Sequence, residues 1–234
     1  MREPLTVAVT QPPCVSYDVA ANALTAAATV RSAGARVVVF PELFLTGYEL
    51  DAPALDVDDP RLAPIAEACA EAGSLALVGA PVRGDAGGSH IAVLAIDDTR
   101  AAVAYRKMWL GAAESNRFTP GDTPGVLEVD GWRLGLAICK DTAIPQHARD
   151  TAALGIDAYL AGTLEPAEEA PLQDERARRV ASDHSVWVAV ASFAGSTGGG
   201  FAQAAGRSAI WASDGVVIAQ TGPEPGAIAR GTLS

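Results

Sequence analysis

Short apolar runs alternate with segments of helical periodicity along the chain, and this alternation constrains the fold more than any other feature. Residues 5–9 and 36–40 are typical of short buried strands, and apolar side chains recur at helical spacing between them, over residues 16–33. The same patterns predict further helices over 61–73, 144–154 and 172–185 and further strands over 75–82, 90–96, 101–106, 126–129, 132–138, 157–161, 186–192, 207–212, 216–220 and 227–231. Strands separated by helices predict an α/β protein.

Hairpin signals interrupt this alternation. Asp130 and Gly131 separate two predicted strands, and this dipeptide is a strong signal for a two-residue hairpin. Because hairpins pair strands antiparallel and helical crossovers pair them parallel, we expect mixed sheets covered by helices rather than one purely parallel sheet. The chain has no internal repeat and no linker rich in Pro, Gly or Ser, so we expect a single domain over residues 1–234.

The composition argues against several classes of function. Acidic residues outnumber Lys and Arg by 28 to 17, giving a net charge of −11, which disfavours nucleic acids and anionic membranes as partners. No apolar run is long enough to span a membrane and the N-terminus lacks a signal-peptide pattern, so we expect a cytoplasmic protein. The three cysteines and three histidines have no metal-ligand spacing, so we expect neither a disulfide framework nor a metal site.

Three chemically complementary residues follow three predicted strands. Glu42 comes just after the strand 36–40, and a partly desolvated carboxylate there suits a general base. Lys107, one of only two lysines, ends the strand 101–106 and could stabilise an oxyanion. Cys139 directly follows an apolar strand. Taken singly, a solvated glutamate, a surface lysine and a buried structural cysteine are the commoner interpretations.

The segments around these residues resemble the three signature motifs of the nitrilase superfamily, the carbon–nitrogen hydrolases. The motifs are residues 40–48 (FPELFLTGY), 105–107 (YRK) and 136–141 (LAICKD), in the family's order. Each motif alone is weak, whereas three in order are specific. The similarity extends along nearly the whole chain.

The resemblance implies a fold and a mechanism. The fold would be a four-layer α-β-β-α sandwich of two mixed sheets, usually assembled as a homodimer or higher homo-oligomer. Glu42 would take the proton of Cys139, the thiolate would form a thioester with the substrate, and Lys107 with the backbone N–H of Lys140 would hold the developing negative charge. Glu114 resembles the family's second active-site glutamate and would orient Lys107 or the substrate. The mechanism requires no cofactor or metal.

The residues beside the motifs are candidates for the substrate pocket. Tyr48 and Trp109 could line it, although core or interface packing explains both equally well. Lys140 could tune the charge of the pocket or form a structural ion pair. We expect Asp141 to fix the turn after Cys139 rather than to transfer protons.

The expected substrate is a small linear amide or a carbamoyl compound. Residues 138–141 lack the Cys-Trp-Glu pattern associated with nitrilases, which makes nitrile hydrolysis the second choice. A catalytically silent binding or scaffold protein is the remaining alternative within this fold, and the complete set of Glu42, Lys107 and Cys139 argues against it. A nucleotide or redox protein is disfavoured because no Gly-rich fingerprint follows the first strand.

Overall fold

Two six-stranded mixed sheets form the centre of the protein in the computed structural model, which describes residues 2–84 and 87–234. The first sheet consists of β1 (Leu5–Gln11), β2 (Val37–Val39), β3 (Leu75–Arg83), β4 (Ser89–Ile96), β5 (Ala101–Arg106) and β14 (Ala227–Leu233). The second consists of β6 (Gly125–Val129), β7 (Trp132–Ile138), β8 (Ala158–Thr163), β9 (Trp187–Ser192), β12 (Ala209–Trp211) and β13 (Val217–Gln220). A short ladder joins β10 (Ala194–Gly195) to β11 (Ala204–Ala205).

Within the described residues, four α-helices lie outside these sheets, and four short 3₁₀ helices lie in the connections. The α-helices are α1 (Val19–Ala33), α2 (Ala63–Ala72), α3 (Pro145–Ala152) and α4 (Ala170–His184). The 3₁₀ helices are Pro60–Leu62, Glu114–Asn116, Cys139–Ala143 and Ala167–Glu169. The short β10–β11 ladder and the 3₁₀ turns were not expected from the sequence, because pieces of two to five residues carry too little periodicity.

Both sheets are mixed, as predicted. The first has the order β14-β1-β2-β3-β4-β5, in which β1, β2 and β3 are parallel and the outer strands pair antiparallel. The second has the order β13-β12-β9-β8-β7-β6, with β7, β8 and β9 parallel. Asp130 and Gly131 both have positive φ, 51° and 80°, and so form the predicted tight hairpin between β6 and β7.

The alternation of side chains in β1 shows the order of the layers. Val7 and Val9 pack between the two sheets, in the same cluster as Leu134 of β7 and Leu160 of β8. Ala8 points the other way and packs with α1 and α2. The outer face of the second sheet packs against α3 and α4 in a third cluster. The structure is therefore the predicted four-layer α-β-β-α sandwich.

Capping residues determine where α1 begins and where α1 and α2 end. The Asp18 side chain accepts a hydrogen bond from the Ala21 N–H, so α1 begins later than the predicted residue 16. Gly34 and Gly73 end α1 and α2 in the left-handed conformation, which glycine adopts without a steric penalty.

Cys69 of α2 is buried, as expected for a packing residue. Across the described ranges, no helix has both the length and the apolar character needed to cross a membrane.

Two strand glycines allow the backbone around Glu42 to pass close to both sheets. A Cβ added at Gly79 of β3 would lie 2.4 Å from the Pro41 carbonyl oxygen and from the Leu43 nitrogen. A Cβ added at Gly162 of β8 would lie 2.6 Å from the Phe40 carbonyl oxygen and 3.1 Å from the Glu42 nitrogen. These contacts are with backbone, which has little freedom to move away. The position of Glu42 therefore depends on the absence of a side chain at both glycines.

We predict that Gly162→Ala destabilises the protein by about 1–3 kcal/mol, the usual cost of overpacking a filled core. Gly231→Ala in β14 is the matched control, because its added Cβ would meet only side-chain atoms, at 3.2 Å or more. Denaturant unfolding of the two variants measures the difference. Equal stability of Gly162→Ala and the wild type would contradict the close approach described here.

Candidate active site

The strands that precede Glu42 and Lys107 end at the same edge of the first sheet. β2 is parallel to β3, and two successive antiparallel pairings make β5 parallel to β2 as well. Glu42 follows β2 and Lys107 follows β5, so the fold carries both side chains to one edge. Cys139 follows β7 of the second sheet. The three residues singled out by the sequence are thus carried on two different sheets.

Lys107 lies between two carboxylates. Its Nζ is 2.6 Å from Glu42 Oε1 and 2.7 Å from Glu114 Oε1. All three side chains are at most 2% exposed. Burial alone would lower the pKa of Lys107, but the neighbouring charges, that of Glu42 first and that of Glu114 as well, outweigh burial and raise that pKa. Lys107 is therefore a permanent positive charge within the site.

Glu114 is held by donors on several sides. In addition to Lys107, its carboxylate accepts hydrogen bonds from the Tyr48 hydroxyl at 2.7 Å and from the Gly111 N–H at 2.5 Å. Burial raises the pKa of Glu114, but Lys107 and these hydrogen bonds lower it by a larger amount, so the net shift of the pKa is downward. Glu114 therefore stays ionised and contacts Lys107, while the orienting role that the resemblance implies stays a prediction.

The pKa of Glu42 shifts in the opposite direction to that of Glu114. Burial raises its pKa to about 7, although Lys107 opposes this, and the nearby charge of Glu114 adds to the increase. Its Oε2 atom is buried and makes no hydrogen bond within the described part of the chain. Glu42 therefore has one oxygen bound to Lys107 and a second oxygen free to accept a proton at neutral pH.

Cys139 occupies a strained turn. Its φ of 42° is unusual for a residue with a side chain, and it begins the 3₁₀ helix Cys139–Ala143 directly after β7. The thiol donates a hydrogen bond to the Leu164 carbonyl at 3.1 Å and lies 3.9 Å from Glu165 Oε1. Desolvation, followed by the charge of Glu42, raises its pKa well above the ordinary value, while Lys107 lowers it. The resting thiol is therefore protonated and lies within the electrostatic reach of both Glu42 and Lys107.

Asp141 connects the Lys107 segment to the Cys139 turn. Its Oδ2 accepts a hydrogen bond from the Ile138 N–H, and its Oδ1 accepts one from the Trp109 N–H, both at 2.9 Å. This buried carboxylate therefore links the chain after β5 to the chain around the thiol. The prediction that Asp141 fixes the turn is confirmed.

The buried His147 is connected to Asp141 through the hydroxyl of Tyr105. The Tyr105 hydroxyl donates a hydrogen bond to Asp141 Oδ2 at 2.8 Å and lies 2.9 Å from His147 Nε2. The other ring nitrogen, His147 Nδ1, is 2.7 Å from the Tyr159 hydroxyl. Burial lowers the pKa of His147 despite the opposing charge of Asp141. This imidazole is therefore neutral, and its hydrogen bonds are with tyrosines rather than with Cys139.

The remaining predicted pocket residues lie beside this centre. The Trp109 ring packs edge-on against His147 at 5.5 Å between centroids. Lys140 is exposed, and its Nζ donates to the Leu110 carbonyl at 2.6 Å. The substrate-binding roles of Tyr48, Trp109 and Lys140 stay predictions.

Glu165 and its partner Arg176 were not among the residues predicted for the site. Glu165 lies two residues after β8, and its Oε1 accepts a hydrogen bond from Arg176 Nη1 of α4 at 2.5 Å. The position of a carboxylate just past a buried strand, which singled out Glu42, is a signal that applies equally to Glu165. Within residues 2–84 and 87–234, no group of three or more His, Cys, Asp and Glu is arranged to hold a metal ion.

Comparison with known proteins agrees with this geometry. A family model for carbon–nitrogen hydrolases matches residues 6–233. The chain is 32% identical over 236 residues to a Pseudomonas protegens protein described as the hydrolase in the pqqF 5′ region, covering 97% of this chain and 82% of that one.

Two solved structures share the fold. A Saccharomyces cerevisiae protein from branch 10 of the nitrilase superfamily superposes with a TM-score of 0.87 at 21% identity, covering 99% of this chain and 90% of that one. A mutant of the amidase from Nesterenkonia sp. AN1, in complex with butyramide, superposes with a TM-score of 0.86 at 25% identity, covering 98% and 90%. The chain therefore belongs to the carbon–nitrogen hydrolases of the nitrilase superfamily.

Proposed function

We propose that the protein hydrolyses a non-peptide C–N bond in a small linear amide or carbamoyl compound and releases ammonia or an amine. The observation that carries the proposal is the free oxygen of the buried Glu42, a base with a pKa of about 7 whose charge acts on the Cys139 thiol. A protonated thiol needs such a base, because the thiolate is the nucleophile. Lys107 supplies the fixed positive charge beside them.

The first half of the reaction forms a thioester. Glu42 accepts the Sγ proton while the sulfur attacks the carbonyl carbon of the amide. The negative charge that develops on the carbonyl oxygen is stabilised by Lys107 and by the Lys140 N–H, which belongs to the first turn of a 3₁₀ helix and so has no partner within that helix. Glu42 then returns its proton to the leaving nitrogen, the C–N bond breaks, and ammonia or an amine departs.

The second half regenerates the enzyme. Glu42 takes a proton from water, the hydroxide attacks the thioester, and the same oxyanion donors stabilise the new tetrahedral intermediate. When the C–S bond breaks, the proton on Glu42 returns to the sulfur, and a carboxylic acid is released. Glu114 keeps Lys107 in place through both halves by its 2.7 Å contact.

The Nesterenkonia amidase supports an amide as substrate, since its mutant was solved with butyramide, a small linear amide. Hydrolysis of a nitrile by the same residues is the second candidate, and the absence of the Cys-Trp-Glu pattern weighs against it. The two are separated by measuring ammonia release from matched amides and nitriles. A catalytically silent protein would release ammonia from neither.

We predict that Cys139→Ala and Glu42→Gln each lower kcat for amide hydrolysis by about a thousandfold or more, because residues that act as a unit lose most of the catalysis when one is removed. Ammonia release from a panel of short linear amides measures the loss. Cys14→Ala is the matched control: it removes another partly buried thiol, whose pKa burial raises to about 11. Full activity of Cys139→Ala would contradict the proposed function.

We also predict that kcat/KM falls as the pH is lowered through about 7. Only the ionised form of Glu42 can accept the thiol proton, and burial raises its pKa to about 7, so the active form is lost below that pH. The decline should approach roughly tenfold per pH unit, with an apparent pKa that belongs to the coupled Glu42–Cys139 pair. A pH–rate profile that stays flat down to pH 5 would show that a different group acts as the base.

A further inference from the structure

Glu165 is a second carboxylate at the thiol that the mechanism above does not use. Its side chain is only 10% exposed, and its Oε1 lies 3.9 Å from Cys139 Sγ. The arrangement follows from the sheet: β7 and β8 are parallel neighbours, with Ile138 opposite Gly162, so the residues after both strands emerge at one edge. Glu165 is thus carried by the same sheet as Cys139, whereas Glu42 is carried by the first sheet.

The charge of Glu165 is only partly balanced. Arg176 donates to it at 2.5 Å and lowers its pKa, but burial, which is the largest effect, and the neighbouring Glu169 raise that pKa, and the net shift is upward. Arg176 is itself 17% exposed, and the carboxylate contacts of Glu165 with Arg176 and with Cys139 both use Oε1. The charges of Glu42 and Glu165 both act on the Cys139 thiol, whereas Lys107 is the cation that acts on it in the opposite direction.

The distance from the thiol limits what Glu165 can bind. Reacting atoms approach to roughly 3–3.5 Å before a bond forms, and a hydrogen-bond donor lies about 2.9 Å from its acceptor. A carboxylate oxygen 3.9 Å from the sulfur therefore lies within reach of a donor nitrogen two or three bonds away from the carbonyl carbon under attack. That position is the α or β substituent of the acyl group.

We propose that Glu165, held by Arg176, is a specificity-determining residue that selects amides carrying an ammonium group on the carbon α or β to the scissile carbonyl. The proposal rests on the proposed amide hydrolysis and deepens it by naming the substrate class. An anionic group at that position is disfavoured, because a carboxylate there would meet Glu165 at close range.

Two isosteric substrate pairs test the proposal. Glycinamide and propionamide differ only in an ammonium or a methyl group on the α carbon, and 3-aminopropanamide and butyramide differ in the same way on the β carbon. At pH 7 we expect kcat/KM for the ammonium member of at least one pair to exceed that of its isostere by roughly tenfold to a hundredfold, the range for a hydrogen bond to a charged group. Malonamate should be the poorest of the short amides.

Glu165→Gln assigns the preference to this residue. The amide side chain keeps the volume and an acceptor for Arg176 but loses the charge. We expect the ammonium preference, which is the ratio of kcat/KM for the ammonium amide to kcat/KM for its neutral isostere, to fall at least about tenfold, mainly through the KM of the ammonium amide. Glu168→Gln, which removes one exposed charge from the same segment, is the matched control and should leave the preference unchanged.

Arg176→Gln keeps the test decisive if Glu165→Gln does not fold. Because Arg176 lowers the pKa of Glu165, its removal favours the protonated carboxyl, so the ammonium preference should fall as it does in Glu165→Gln. A wild-type preference for propionamide and butyramide over both ammonium amides would overturn the proposal. So would an equal loss of kcat on all amides in Glu165→Gln, which would make Glu165 a positioning residue for Cys139. Failure of the wild type to hydrolyse any amide would instead overturn the proposed function itself.

Discussion

Lys107 holds one positive charge between the carboxylates of Glu42 and Glu114, with all three side chains almost fully buried. Removing an ion from water costs several kcal/mol, and the interior recovers that cost only where partners are close and well oriented. Deleting the lysine would leave two buried like charges, and breaking such a group typically costs about 3–5 kcal/mol. The same arrangement that stabilises the lysine also sets the chemistry: Glu114 is driven to ionise, while Glu42 keeps a pKa of about 7.

Cys139, the proposed nucleophile, is carried by the other sheet but is subject to the charges of this cluster. Desolvation and the charge of Glu42 keep the Cys139 thiol protonated, and Lys107 partly offsets both. In the proposed mechanism a thiolate would therefore form only as its proton moves to Glu42, so that bond formation and proton transfer would be coupled. Asp141 holds the two segments in register by accepting one backbone N–H from each side. A rigid connection of this kind matters because small displacements of reacting groups have large effects on rate.

Much of this arrangement could be predicted from the sequence, and the reasons are local. The strands before Glu42, Lys107 and Cys139 are short, apolar and bounded by turn residues, so their ends were evident, and the hairpin at Asp130 follows from its dipeptide. What escaped prediction depends on contacts between distant segments. Glu165 follows a predicted strand as Glu42 does, but its position next to Cys139 becomes evident only when β8 is placed beside β7, and its partner Arg176 lies 11 residues further on, in a helix. His147 has no sequence signal for its place between Tyr105 and Tyr159.

The backbone around Glu42 passes close to Gly79 and to Gly162, and this fixes the position of Glu42 relative to both sheets. These glycines belong to opposite sheets, so the segment that carries the base touches both walls of the central hydrophobic layer. The separation of the two sheets, set by the packing of residues such as Val7, Leu134 and Leu160, thereby also sets the separation of Glu42 and Cys139. In the proposed mechanism this separation is a proton-transfer distance, so the close-packed side chains between the sheets would act as its spacer.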